Sequence, residues 1–195
     1  MKLILASASP RRFQILRDAG FAFSVVSSAI DETSFPGESP QQLVQRLADA
    51  KADLVAARAI GPAIVIAADT VVTLDGHILG KPRNTEDARH MLEKLSGRTH
   101  SVLTGVSLVR LPDAERRQFS ESTLVHFAPL SSQEISDYLS SDEPYDKAGA
   151  YAIQGLAGRF IPRIEGCYFN VVGLPLSRLS AALHELGWSE EATTT

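Results

Sequence analysis

Six apolar residues in a row, AIVIAA at positions 63–68, run straight into Asp69. A run of that length, rich in Ile and Val and without polar alternation, suits a central strand buried on both faces. The sequence predicts that this strand ends at Asp69. A carboxylate there stands at the edge of a buried sheet, where it needs a partner or a task.

Helices on either side of the run can supply the cover. Ser9-Pro10 opens one, with Ser9 as N-cap and Pro10 at the first helical position; Phe13, Leu16 and Ala19 face inward and Gly20 closes it. Ser39-Pro40-Gln41-Gln42 is a capping box with proline at N1, ahead of Leu43, Leu47, Ala50, Leu54 and Ala57 at helical spacing. Asn84 or Thr85 caps a third, with Glu86 and Asp87 in the first turn and Met91, Leu92 and Leu95 inward. Ser131 to Glu134 form a second capping box before Ile135, Tyr138 and Leu139, and Pro175 starts a last helix through Leu176, Leu179, Leu183 and Leu186. Strands are predicted at 3–5 and 23–26, with a loop over 27–38. Three hairpins follow: 71–74 with 77–79 across Asp75-Gly76, 100–111 with 117–128 across Pro112-Asp113, and 159–164 with 167–172 around Glu165-Gly166. Helices and strands mix without strict alternation, so the class is α/β or α+β with a mixed sheet.

The 195 residues are 44% apolar, enough for one domain with its own core. We assign residues 1–187 to that domain and 188–195 to a polar tail, frayed from 190 onward. The charge balance, 19 basic against 23 acidic residues, gives −4. That argues against non-specific binding along nucleic acid and leaves small anionic ligands open. The single cysteine, Cys167, excludes an internal disulfide and a cysteine zinc site. No apolar stretch approaches the roughly 18 residues of a membrane span. Leu3 to Leu5 followed by Ala6-Ser7-Ala8 mimics a secretory leader, but Pro10-Arg11-Arg12 interrupts it. A cytoplasmic protein is expected.

The usual P-loop, dinucleotide, zinc-protease and serine-hydrolase signatures are absent, and His77, His90, His100, His126 and His184 show no paired ligand spacing. Other segments carry chemistry. Ser7-Ala8-Ser9-Pro10-Arg11-Arg12 joins a strand to a helix N-terminus, where free N–H groups favour an anion; two arginines there are electrostatically odd unless one binds. Asp69 and Thr70 form a second site. Lys81, between Gly80 and Pro82, and Lys51, in an otherwise apolar helix, can meet phosphate, though both also suit solvated surface. Asp31-Glu32 offers carboxylates for a hard cation. In the 146–155 segment, Gln154 carries a donor beside an acceptor, which complements the imide edge of uracil or thymine. An amide can flip to serve cytosine, so this match does not fix the base.

Taken together, these segments resemble the Maf family of nucleoside triphosphate pyrophosphatases. The motifs are Ser7 to Arg12, Asp31-Glu32, Ala48-Asp49-Ala50-Lys51-Ala52, Ala68-Asp69-Thr70, Gly80-Lys81-Pro82, Leu95-Ser96-Gly97, Asp146 to Tyr151, Gln154-Gly155 and Val172-Gly173-Leu174-Pro175. The resemblance implies a mixed α/β fold with two lobes around a cleft, similar to inosine triphosphate pyrophosphatases. It implies hydrolysis of a nucleoside triphosphate to the monophosphate and diphosphate with Mg²⁺ or Mn²⁺. Asp69 is then the proton acceptor, Arg11, Thr70 and Gln154 the specificity positions, and Ser7, Arg12, Lys51 and Lys81 the phosphate-binding set. Glu32 and Asp69 would hold the metal. The branch acting on dTTP and UTP is implied, because the sister branch for methylated GTP has Trp and Gln where this chain has Arg11 and Thr70. A homodimer is left open, and so are a house-cleaning role on modified pyrimidine triphosphates and the alternative of a nucleotide-binding regulator of division or septum formation.

Overall fold

The apolar run lies in the middle of the sheet, but its strand is longer than the sequence suggests. A computed structural model describes residues 1–189; the frayed segment expected at 190–195 lies outside the described residues. Strand β3 spans Ala63–Leu74, twelve residues, and passes straight through Asp69. The backbone of Asp69 keeps its place in the ladder, in register with Gly105. One polar side chain does not end a strand when that side chain has a partner.

Strand β1 (Lys2–Leu5) pairs parallel with β3 and with β2 (Phe23–Val25). β4 (His77–Leu79) folds back on β3 across the Asp75-Gly76 turn. On the other edge β5 (Thr99–Leu111) runs antiparallel along β3, followed by β6 (Arg116–His126) and β7 (Arg163–Glu165). The mixed sheet expected from the sequence is therefore present, in the order β2-β1-β3-β5-β6-β7.

One consequence of this order positions the site. β1 and β4 share an edge of β3, β1 pairing with residues 63–66 and β4 with 72–74. Between them residues 67–71 have no strand on that side among the described residues. The gap marks a switch from a parallel to an antiparallel neighbour, and a crevice opens where the two chains diverge.

The helices form where their caps predict. α1 (Pro10–Asp18), α2 (Pro40–Ala56), α3 (Thr85–Leu95) and α4 (Ser132–Leu139) carry side-chain N-caps from Ser9, Ser39, Asn84 and Ser131. The buried faces differ in phase from the sequence reading. Ile15 and Leu16 are buried in α1 while Phe13 is exposed, and α2 buries Val44, Ala48, Lys51, Ala52 and Val55 rather than Ala50, Leu54 and Ala57. The predicted 159–164/167–172 hairpin is not formed. Only Arg163–Glu165 pairs, and Tyr168–Val172 is a short helix, α5. Asn170 explains this: fully buried, its Nδ2 donates to the Val102 carbonyl and to Thr123 Oγ1, both at 2.9 Å. Those contacts override the strand preference of Val171 and Val172.

The last helix, α6 (Leu176–Glu185), joins Leu3, Leu5, Leu16 and Ile64 in one core cluster, to which Trp188 also belongs. Packing thus reaches one residue past the boundary drawn at 187. A second cluster gathers Val72, Leu92, Leu95, Val125, Tyr138 and Phe160. The crevice lies between the two. No helix among the described residues is long and apolar enough to cross a membrane.

Candidate functional site

Asp69 and Thr70 sit on the uncovered stretch of β3, and successive strand residues face opposite sides of the sheet. Asp69, largely buried, faces α2. Lys51 reaches it from there: its Nζ donates to Asp69 Oδ1 at 2.6 Å and to Glu32 Oε1 at 2.6 Å. The lysine is buried, and its head rests on two carboxylates instead of in water. Burial pushes the Glu32 carboxyl up; the hydrogen bond and charge of Lys51, with the charges of Lys81 and Arg12, outweigh this and hold it below its ordinary value. Asp31 does not join its neighbour. It accepts from the Thr33 backbone N–H and hydroxyl, at 2.9 and 2.6 Å, out in solvent. Of the two adjacent carboxylates only Glu32 reaches Lys51, where it stands beside Asp69.

Thr70 faces the other side, against Arg12. The Arg12 guanidinium is buried and spends its donors on three acceptors. Nε donates to the Gly173 carbonyl at 2.8 Å, Nη2 to Thr70 Oγ1 at 2.9 Å and Nη1 to Ser7 Oγ at 3.4 Å. Burial lowers its pKa, the charge of Asp69 opposing and that of Arg11 adding. Gly173 has φ +125°, and an added Cβ would meet Thr70 Oγ1 at 3.6 Å and Arg12 Nε at 3.7 Å. Those are ordinary contacts, so glycine is needed there for the backbone conformation and not for the space.

Nine of the residues singled out from the sequence, Ser7, Arg11, Arg12, Glu32, Lys51, Asp69, Thr70, Lys81 and Gln154, line one cleft of about 620 Å³; Asp31 does not. Ser7, Arg12, Lys51 and Asp69 form its buried floor; Lys81, Glu32 and Gln154 are exposed on its walls. The residues the sequence reading missed are Thr104, Asn170 and Gly105. A threonine in an alternating strand gives no signal of a polar contact, and a glycine inside a strand signals only close approach by something unnamed.

Behind Tyr151, on the wall that carries Gln154, His100 is 2% exposed. Its Nε2 lies 2.6 Å from the Tyr151 hydroxyl, and Phe127 packs edge-on against both rings. Burial, with the charge of His126 adding, lowers the imidazole from 6.5 to about 4. Between those values the unfolded chain takes up a proton that the folded chain does not. The stability contributed by the neutral ring is therefore complete above pH 6.5 and is lost as the pH falls towards 4, by about 3 kcal/mol at most. Melting temperatures followed from about pH 7 to about pH 4 should fall in the parent and fall less steeply in His100→Gln. Equal slopes would rule out His100 as the titrating group.

Two carboxylates converging on a single ammonium form an oxygen donor set open to the cleft. That fits Mg²⁺ or Mn²⁺, which commonly take one or two carboxylates and complete their shell with phosphate oxygens and water. It does not fit a protein-enclosed centre, since no group of three or more His, Cys, Asp or Glu is placed to hold a metal among the described residues.

Residues 2–186 match the family described as Maf-like protein. The chain is 48% identical over 188 residues to the dTTP/UTP pyrophosphatase of Carboxydothermus hydrogenoformans, covering 96% of this chain and 100% of that one. It is 51% identical over 187 residues to the dTTP/UTP pyrophosphatase of Geobacillus sp. (strain WCH70), covering 96% and 99%. Among solved structures, the Ham1 protein of Staphylococcus aureus superposes with a TM-score of 0.53 at 14% identity, over 95% of this chain and all of that one. A HAM1 protein from Coxiella burnetii gives 0.51 at 13% identity, over 95% and 99%. At these identities the likeness is one of fold.

Proposed function

The chain belongs to the Maf-like family, and from that premise we propose that it hydrolyses dTTP and UTP to the monophosphate and diphosphate. The observation that carries this reading is the floor of the cleft: a buried carboxylate, Asp69, bonded to Lys51 beside a second carboxylate, with Arg12 and Ser7 on the opposite side of the strand.

The triphosphate lies between Ser7, Arg11 and Arg12 on one side and Lys51 and Lys81 on the other. Guanidinium forks and ammonium groups neutralise its oxygens and hold the α-phosphorus in line with a water molecule. Asp69 accepts the proton of that water as its oxygen bonds to the α-phosphorus. The bond from the α-phosphorus to the bridging oxygen breaks, and the diphosphate leaves with the electron pair. A divalent cation, Mg²⁺ or Mn²⁺, held by Glu32 and Asp69 would neutralise phosphate charge and acidify the water. Lys51 holds Asp69 and Glu32 in place before substrate arrives. Gln154, on the exposed wall, presents its amide to the base.

Diphosphate release from dTTP, UTP and GTP, with and without Mg²⁺, tests the reading. We expect release from dTTP and UTP in the presence of the metal, with kcat/KM for GTP lower by about tenfold or more. Release of orthophosphate instead of diphosphate, or a preference for GTP, would overturn it.

A further inference from the structure

The hydrogen-bond chain behind Thr70 has a direction, and that direction constrains the ligand. Arg12 Nη2 donates to Thr70 Oγ1 at 2.9 Å, and a guanidinium can only donate. Thr70 Oγ1 lies 2.9 Å from Thr104 Oγ1. Thr104 Oγ1 in turn donates to the Asn170 backbone carbonyl at 3.2 Å, an acceptor only. Thr104 has one proton, and the buried Asn170 carbonyl has no other donor among the described residues, so leaving it unpaired is the costlier arrangement and the carbonyl takes the proton. The proton between the two threonines is therefore supplied by Thr70. The order of donation runs Arg12, Thr70, Thr104, Asn170.

The far end of this chain is rigid. Thr104 and Asn170 are fully buried. The Asn170 side chain ties α5 to Val102 on β5 and to Thr123 on β6, and Thr123 Oγ1 also bonds both polar backbone groups of Cys167. Three residues beyond Asn170, the Gly173 carbonyl takes Arg12 Nε. One buried segment thus sets both partners of Thr70.

We propose that Thr104 is a positioning residue that makes the Thr70 hydroxyl an acceptor, and only an acceptor, towards the ligand in the cleft; the identity of that ligand rests on the nucleotide reading above. With its proton turned inward and one lone pair engaged by Arg12, Thr70 has one lone pair left for the cleft. A triphosphate tail offers only acceptors, so it gains nothing from this group. The donors of a pyrimidine nucleotide are on its nucleoside half: the imide N3–H of uracil or thymine and the sugar hydroxyls. Cytosine has no hydrogen at N3 and would set lone pair against lone pair. Gln154 can flip to serve either base; the Thr70 hydroxyl, held from behind, cannot.

Thr104→Val keeps the buried shape and removes the acceptor, freeing the Thr70 proton to turn towards the cleft, while Thr104→Ser keeps the chain intact. The readout is binding of non-hydrolysable α,β-methylene nucleotides by titration calorimetry. One arm compares the UTP and CTP analogues and the other compares the dTTP analogue with its 3′-deoxy counterpart. Thr104→Val should shrink the affinity ratio in one arm by about tenfold, and that arm identifies the donor; Thr104→Ser should return the ratio to within about twofold. Unchanged ratios in both arms, in a folded Thr104→Val protein, overturn the proposal. Should that variant not fold, Thr104→Cys, a weak donor and acceptor, must shift a ratio in the same sense, and no shift is equally decisive. Diphosphate release is measured in parallel. Its absence in the parent would refute the hydrolytic reading alone, because the binding ratios do not depend on turnover.

Discussion

An Asp69→Asn variant should hydrolyse dTTP and UTP about 10²–10⁴-fold more slowly in kcat, the range associated with loss of a positioned base, while keeping its fold. The substitution preserves shape and removes only charge. The fold survives because Lys51 faces two carboxylates, Asp69 and Glu32. Taking one away leaves a neutral pair instead of an unpaired buried charge, so the heavy penalty for orphaning an ion does not arise. Catalysis has no such reserve. Glu32 is exposed, with 58% of its side chain open to solvent, and belongs to the loop, whereas Asp69 is fixed in the ladder of β3. An amide oxygen can still accept from Lys51 but cannot take a proton from water at neutral pH. Initial-rate kinetics of diphosphate release separate the outcomes. A fall confined to kcat assigns Asp69 to the chemical step. A fall carried by KM alone would make it a binding group, and near-parental turnover would remove it from the mechanism.

What the sequence made legible was local. The starts of α1 to α4 could be read because a cap is a contact between residues three apart, as with Ser39 and Gln42 or Ser131 and Glu134. The charged site residues could be read because an arginine at a helix N-terminus or a carboxylate after a buried run is costly without a partner. The illegible parts depend on distant groups. β3 continues past Asp69 because of Lys51, eighteen residues earlier. Tyr168–Val172 is helical because Asn170 finds Thr123 and Val102, 47 and 68 residues away. Asp31 and Glu32, adjacent in sequence, diverge because Thr33 captures one and Lys51 the other.

Gly105 is the clearest case of a position whose importance is not written in its own neighbourhood, and its replacement by alanine should have the second large effect. It pairs in register with Asp69, and α2 crosses the sheet directly over it. A Cβ at this position would fall 2.5 Å from the Val44 carbonyl oxygen, 2.6 Å from the Val44 carbonyl carbon and 2.8 Å from the Gln45 nitrogen. All three are backbone atoms, so no rotamer change relieves the clash. Normal contact between such atoms needs about 3.5 Å, and α2 must lift by about 1 Å to provide it. Lys51 lies two turns further along the same buried face of α2 and moves with it, away from Asp69 and Glu32. Overpacking of this kind costs about 1–3 kcal/mol, a loss of roughly 3–10 °C in melting temperature for a chain of this size. A displacement near 1 Å at the reacting groups costs about 10²-fold in turnover. The two losses should appear together in Gly105→Ala, in thermal melts and in kcat. If the variant melts with the parent and turns over as fast, α2 has room to spare at this crossing, and the close approach of helix and strand does not hold Lys51 on Asp69.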